Sequence, residues 1–226
     1  MKKSKFIVIE GTDSSGKETQ SKKLVDRLNL ENINAIYLTF PMYDTPTGKI
    51  IGGPYLGKEY ICEGWFNEKA YNVDPLVASA YYAADRRYNF SKIENYLNND
   101  TTVICDRYVD SNMAHQAGRE LDKNKRLKLY KKIEILEHEI MELQKPDFTI
   151  FLHLPWEYSK KALELREEKP DQLESSYETL KNAETAYLEI AKMHNYYTIE
   201  CMKGETRKTV DEIHEEVYTL VKKLIK

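Results

Sequence analysis

The nine residues GTDSSGKET, Gly11–Thr19, fall one residue short of a phosphate-binding loop. That loop is written Gly, any four residues, Gly, Lys, then Ser or Thr. Gly11, Gly16 and Lys17 satisfy it, but Glu18 puts a carboxylate where a metal-binding hydroxyl belongs. The flanking sequence decides whether the loop reading holds. A phosphate loop joins the end of a strand to the start of a helix, so that backbone N–H groups and the positive end of the helix dipole face the anion. Upstream, FIVIE (Phe6–Glu10) is a β-branched apolar run, the pattern of a strand buried on both faces. Downstream, Leu24, Val25 and Leu28 mark one side of a helix. Both flanks are in place, so phosphate binding is favoured over a glycine-rich turn with a surface lysine.

The same alternation continues along the chain. AIYLTF (Ala35–Phe40) reads as a second strand, stopped by Pro41. A loop rich in glycine and proline follows, through Gly48, Gly52, Gly53, Pro54 and Gly57. Asp74-Pro75 then opens a long helix, with Asp as cap and Pro at the first helical position, predicted to reach about Leu97. TTVIC (Thr101–Cys105), DFTIFLHL (Asp147–Leu154) and YYTIEC (Tyr196–Cys201) supply three more strands. A last amphipathic helix carries Val210, Ile213, Val217, Leu220, Val221 and Leu224. Buried strands alternating with helices predict one α/β domain over residues 1–226: a three-layer fold whose five-stranded parallel sheet is flanked by helices. A helix predicted from about Asn124 to Leu143 places Leu129, Ile133, Leu136, Ile140 and Leu143 at alternating spacings of four and three. Packing on its own sheet is favoured for that seam over a subunit contact.

Composition narrows the function classes. Of 226 residues, 41% are hydrophobic and 31% charged, with a net charge of -3, so neither wholesale disorder nor general nucleic-acid binding is implied. Cys62, Cys105 and Cys201 lie far apart, in neither a metal nor a disulfide spacing, which fits reduced thiols in a cytoplasmic protein. The basic and apolar opening MKKSKFIVIEG is too short for a secretory leader. No stretch approaches the ~20 apolar residues of a membrane span.

A second cluster, VICDRYVDSN, ends the third strand. Asp106 and Arg107 fall at its carboxyl end, where α/β sheets hold ligands. A carboxylate there suits the water shell of Mg²⁺, and the adjacent guanidinium can fork onto a second phosphate. IEGTDSSGKETQ, FPMY after the second strand, YYAADRR in the long helix and DRYVDSNMAHQAG after the third strand together resemble the thymidylate kinase family of P-loop nucleoside-monophosphate kinases.

The resemblance implies transfer of the γ-phosphoryl group of ATP to dTMP, a mobile lid and a homodimer. It implies that Gly11, Ser14, Ser15, Gly16, Lys17, Glu18 and Thr19 bind ATP, with Lys17, Arg107 and Asp13 at the reacting centre. Arg107 would hold the acceptor phosphate beside Tyr43, and Tyr82 would stack on thymine. Arg86 would bond the base O4, Asn112 would meet the base edge, and Phe40 and Pro41 would wall the pocket. Tyr82 is one of 17 tyrosines, most of which must be core or surface.

Two features depart from the family. Glu18 is either a solvent-facing carboxylate in the first helical turn or, with Asp106, a Mg²⁺ ligand. The family's usual arginine for the transferring phosphoryl group is missing, with Ser14 in the loop and Gln172 between Asp171 and Glu174 in the lid. The lid reads LREEKPDQLESS, residues 165–176, and Arg166 is its one arginine, so Arg166 with help from Lys169 is the expected replacement. Two alternatives stand beside this reading. One is a kinase for another deoxynucleoside monophosphate or for a deoxynucleoside, with Glu10 as general base. The other is a nucleotide-binding protein whose catalysis has decayed.

Overall fold

The opening apolar run folds as β1 (Phe6–Gly11), buried at all six positions. The computed structural model describes residues 4–164 and 177–225. β2 (Ala35–Thr39), β3 (Thr102–Asp106), β4 (Phe148–His153) and β5 (Tyr197–Glu200) complete a parallel sheet in the order β2-β3-β1-β4-β5. β1 is therefore central and has to be apolar on both faces. Phe6 and Val8 enter one core with Val103, Cys105 and Phe151. Ile7 and Ile9 enter the other with Ile104, Ile150 and Leu152. That two-sided burial is why the strand reads as a continuous apolar run rather than an alternation.

The second core is closed by α1 (Lys17–Leu30) and α8 (Val210–Leu224), through Leu24, Leu28, Ile213, Val217 and Val221. The first is closed by α3 (Pro75–Asn98), α5 (Lys123–Glu134) and α7 (Tyr177–Met193), through Phe90, Ile93, Tyr130, Ile133 and Ile190. Short helices α2 (Pro46–Ile50), α4 (Val109–Asn112) and α6 (Trp156–Glu164) complete the described set. Asp74 caps α3 as its sequence predicts, accepting from the N–H groups of Leu76 and Val77 at 2.8 and 3.2 Å. No helix among the described residues is long and apolar enough to cross a membrane.

Register sets the working edge of the sheet. Asp106 lies opposite both Ile9 and Thr39, and Gly11 opposite Leu152. The loops that follow β1, β2 and β3 therefore emerge side by side.

The structure corrects two expectations. The helix read as continuous to Leu143 is regular only to Glu134 and then widens over Ile135–Ile140. The widening changes the phase of its faces. Ile133 and Leu143 are core, but Ile140 is 66% exposed while Glu137 is wholly buried. A small hairpin of β6 (Met202–Lys203) and β7 (Thr206–Arg207) was not anticipated. The expected lid at 165–176, with Arg166, Lys169, Asp171, Gln172 and Glu174, lies outside the described residues.

Candidate active site

The loop after β1 works because two glycines carry no side chain. A Cβ on Gly11 would sit 2.6 Å from both the Leu152 carbonyl oxygen and Ser15 Oγ. Gly16 caps α1 at φ 94, a left-handed conformation that favours glycine. No side chain caps that helix, which leaves its first N–H groups available to an anion, the arrangement that binds phosphate. Lys17 is buried, and its Nζ donates to the Gly11 and Thr12 carbonyls at 3.0 and 2.9 Å. Burial first, then repulsion from Arg107, pull its pKa down to about 8 against the attraction of Asp13, Asp106 and Glu10.

Ser14 is left-handed at φ 58, and its carbonyl accepts a 2.6 Å bond from Arg207 on the hairpin. Glu18 is paired 2.6 Å from Lys22 one turn on, with its side chain largely in water. Thr19 is exposed. Asp106 is buried with Oδ1 lacking a hydrogen-bond partner, while Oδ2 accepts from the Tyr37 hydroxyl at 3.4 Å. Burial pushes its carboxyl up, opposed by Lys17 and Arg107. Among the described residues no group of three or more His, Cys, Asp or Glu side chains forms a metal cage. The orphaned Asp106 oxygen suits one contact to a cation, or to its water, arriving with a nucleotide.

The loop after β3 turns sharply at Arg107, whose φ of 65 costs a non-glycine residue roughly 1–2 kcal/mol. Glu10 holds the turn from behind. Its Oε1 accepts from the N–H groups of Tyr108 (2.7 Å) and Ser111 (3.1 Å), and its Oε2 from Ser111 Oγ at 2.6 Å. Burial raises the Glu10 carboxyl's pKa, against the Ser111 and Tyr108 bonds and the charges of Arg107 and Lys17. Arg107 in turn donates 2.7 Å to Asp13 and lies 3.2 Å from His115 Nε2. Burial would raise Asp13, but His115, Arg107 and Lys17 outweigh it and hold the carboxyl well below the usual range.

Beyond Arg107 the site becomes aromatic. Tyr82 faces the cleft from α3, edge-on to Tyr55. Arg86, one turn later, gives Nε to Glu137 Oε2 at 2.9 Å and a second nitrogen to Glu137 Oε1. Asn112 Nδ2 donates to the same Oε1 at 2.7 Å and to the Ser79 carbonyl, leaving Asn112 Oδ1 without a partner. Asp85 fastens the loop after β2 to α3, accepting from Met42 N at 3.0 Å and Thr47 Oγ1 at 2.8 Å.

These groups share one cleft of about 1130 Å³. Each sequence-predicted site residue within the described part borders it, except Gly11, Ser15 and the alternative base Glu10, which are buried. Sequence reasoning missed Glu137 and Arg207 and named Glu10 only as the general base of an alternative kinase. Glu10 is the one charged residue in an otherwise apolar strand, which was the available signal. Glu137 and Arg207 sit in exposed-looking charged runs that carry none.

The family model described as thymidylate kinase matches residues 9–217. The thymidylate kinase of Plasmodium falciparum is 31% identical over 99% of this chain and 92% of its own. A probable thymidylate kinase of Methanocaldococcus jannaschii is 29% identical over 97% of this chain and 96% of its own. The solved thymidylate kinase of Candida albicans superimposes with a TM-score of 0.75 at 23% identity, covering 98% of this chain and 92% of that one. A cleft with a phosphate loop at one end and a buried polar and aromatic pocket at the other, matched along nearly the whole chain, leaves one assignment: the chain belongs to the thymidylate kinase family.

Proposed function

We propose that the chain transfers the γ-phosphoryl group of Mg²⁺-bound ATP to the 5′-phosphate of dTMP, giving dTDP and ADP. The supporting observation is a single cleft lined together by the Lys17 loop, Arg107, Tyr82 and Asn112. Lys17 would turn from the Gly11 and Thr12 carbonyls to donor phosphate oxygens, whose negative charge opposes the lowering of its pKa by burial. Arg107 holds the acceptor phosphate, and Asp13 fixes the guanidinium. Tyr82 offers a ring face to thymine. Asn112 Oδ1, the unpartnered acceptor, suits the base N3–H, and Arg86, oriented by Glu137, suits O4. A donor at O4 and an acceptor at N3–H favour thymine or uracil over cytosine, whose edge presents the reverse pattern.

Asp106, through its unpartnered Oδ1, and water would complete the shell of a Mg²⁺ arriving with ATP. The metal would neutralise charge on the donor phosphates as they transfer. Glu18, paired with Lys22, is read as a bystander to it, so Glu18→Ser should bind ATP with unchanged magnesium dependence. Arg166 remains the candidate for the transferring phosphoryl group. The reading carries a cytoplasmic homodimer, for which the exposed Val77 and Tyr88, on one side of α3, offer apolar surface. Phosphorylation of a free hydroxyl fits less well, because both Glu10 oxygens are engaged by the Tyr108 and Ser111 groups. Product analysis tests the proposal: ATP with dTMP should give dTDP, and Arg107→Met should abolish it while ATP still binds. Wild-type protein that forms no dTDP would refute it.

A further inference from the structure

A phosphate-binding loop works only if its carbonyls are held away from the anion. Across a trans peptide the N–H points opposite to the C=O, so whatever fixes one carbonyl also aims the next residue's N–H. In the loop after β1 several carbonyls have holders of their own. Lys17 Nζ takes those of Gly11 and Thr12 at 3.0 and 2.9 Å, and Gln20 N takes that of Gly16 at 2.9 Å. The two Lys17 bonds are the ones given up when its ammonium turns to donor phosphates.

The carbonyls of Ser14 and Ser15 are held instead by the segment that follows β5. Arg207 Nη2 donates to the Ser14 carbonyl at 2.6 Å, and the Cys201 thiol to the Ser15 carbonyl at 3.8 Å. Burial pushes that thiol up to about 11, so it keeps the proton it donates. The segment is well anchored. β6 and β7 pair Met202 with Arg207 across a turn at Gly204, φ 61, and Lys208 N closes the hairpin on the Cys201 carbonyl at 2.9 Å. Cys201 N is tied to the His153 carbonyl at the end of β4, 2.8 Å away, and Gln20 Nε2 on α1 donates to the Val210 carbonyl at 2.8 Å.

Ser14 is where a holder matters most. It is the third residue of a turn closed by Ser15 N on the Thr12 carbonyl at 3.2 Å, and its φ of 58 is a conformation that favours glycine. A residue in such a conformation persists only where its surroundings over-determine it. Arg207 is bonded to the carbonyl of that residue and borders the same cleft.

We propose that Arg207 is a positioning residue for the phosphoryl donor: through the Ser14 carbonyl it locks the Ser14–Ser15 peptide, so that the loop is formed before ATP arrives and stays formed once Lys17 has turned to the phosphates. The proposal deepens the ATP reading given above and rests on it. Arg207 acts through Ser14 and need not touch the nucleotide. Without it the loop must be reordered at each binding event, a cost that falls on affinity rather than on the transfer step.

The test uses the full chain as wild type, Arg207→Met and Arg207→Lys. Calorimetric affinities are measured for ADP, ATP and dTMP, with KM and kcat for ATP and amide exchange at Ser15 in the absence of nucleotide. Arg207→Met should weaken ADP and ATP by the same factor, about 5- to 50-fold, the worth of one charge-assisted bond passed on as loop ordering. KM for ATP should rise accordingly, while kcat and dTMP affinity change less than about twofold. The Ser15 amide should exchange about fivefold faster or more, because its bond to Thr12 closes the turn that Arg207 holds. Arg207→Lys keeps a charged donor on a long stem and should recover most of each loss. Loss of ATP affinity with ADP spared would make Arg207 a direct γ-phosphate ligand and overturn the positioning role. So would unchanged affinities, weakened nucleotides with Ser15 exchange unaltered, or equal losses in both Arg207 variants. A wild type that binds neither ADP nor ATP would refute the donor reading and this proposal with it, whereas Ser15 exchange, measured without nucleotide, reports on the Arg207 contact separately.

Discussion

Replacing Glu137 by alanine strands Arg86. Both side chains are buried, at 0% and 2% exposure, and two guanidinium nitrogens point at the carboxylate. Removing one partner of a buried ion pair leaves the other charge without compensation, at a cost of about 3–5 kcal/mol. The same change frees Asn112 Nδ2, which shares Glu137 Oε1 at 2.7 Å, so one substitution unlocks both groups proposed for the base edge. The assay is urea unfolding at pH 7 without nucleotide, read as a midpoint shift at constant slope. Glu137→Ala should lose about 3–5 kcal/mol, and Arg86→Met a similar amount. The double variant Arg86→Met with Glu137→Leu should be more stable than either single, because an apolar pair of similar volume avoids the desolvated charges. It should still bind dTMP poorly, since the O4 donor is gone. A loss below about 1 kcal/mol for Glu137→Ala, or a double variant no better than the singles, would refute the claim that this pair is a matched buried unit.

Other consequences are separately measurable. Lys17 titrates at about 8 when folded and near 10.5 when unfolded, so the unfolded chain binds more protons between those values and stability rises with pH there. Lys17→Met should therefore exceed wild type in nucleotide-free stability by up to ~3 kcal/mol below pH 8, with the gap closing by about pH 10.5, while ATP no longer raises its Tm. Tyr82→Ala should raise KM for dTMP by roughly 5- to 150-fold, the worth of one base–aromatic stack, and a KM within twofold of wild type would remove Tyr82 from the pocket. Arg166→Ala should reduce turnover by ~10³-fold or more with little change in ATP affinity, and near-normal turnover would retire Arg166 as the transferring arginine.

The sheet was legible because its strands obey a local rule. Phe6–Glu10 and Thr102–Cys105 are buried on both faces, and burial on both faces leaves an apolar run that needs no knowledge of the partner strand. Asp74-Pro75 announced its helix for the same reason, since a cap acts within three residues. The loop at Gly11–Lys17 and the Asp106-Arg107 pair were equally local, and register brought them together. What escaped was what depends on distance. Arg86 and Glu137 stand 51 residues apart, and the heptad-like spacing around Ile133 pointed to Ile140 rather than Glu137 as the buried neighbour. Only the widening after Glu134 reverses that choice. Glu10 looked like a candidate base because it ends the first strand. Its role in pinning the Arg107 turn appears only when Tyr108 and Ser111 are folded against it, about a hundred residues on.

The most direct test of the central claim, that Arg107 and the Tyr82–Asn112 pocket together select a phosphorylated thymine nucleotide, is ADP release from Mg²⁺-ATP with dTMP, dUMP, dCMP, dGMP and thymidine in parallel. The account predicts fastest turnover with dTMP, slower turnover with dUMP, since one methyl group is worth only ~1–3 kcal/mol in a pocket, and none with thymidine. Turnover of thymidine as fast as dTMP, or none with any acceptor despite bound ATP, would contradict it.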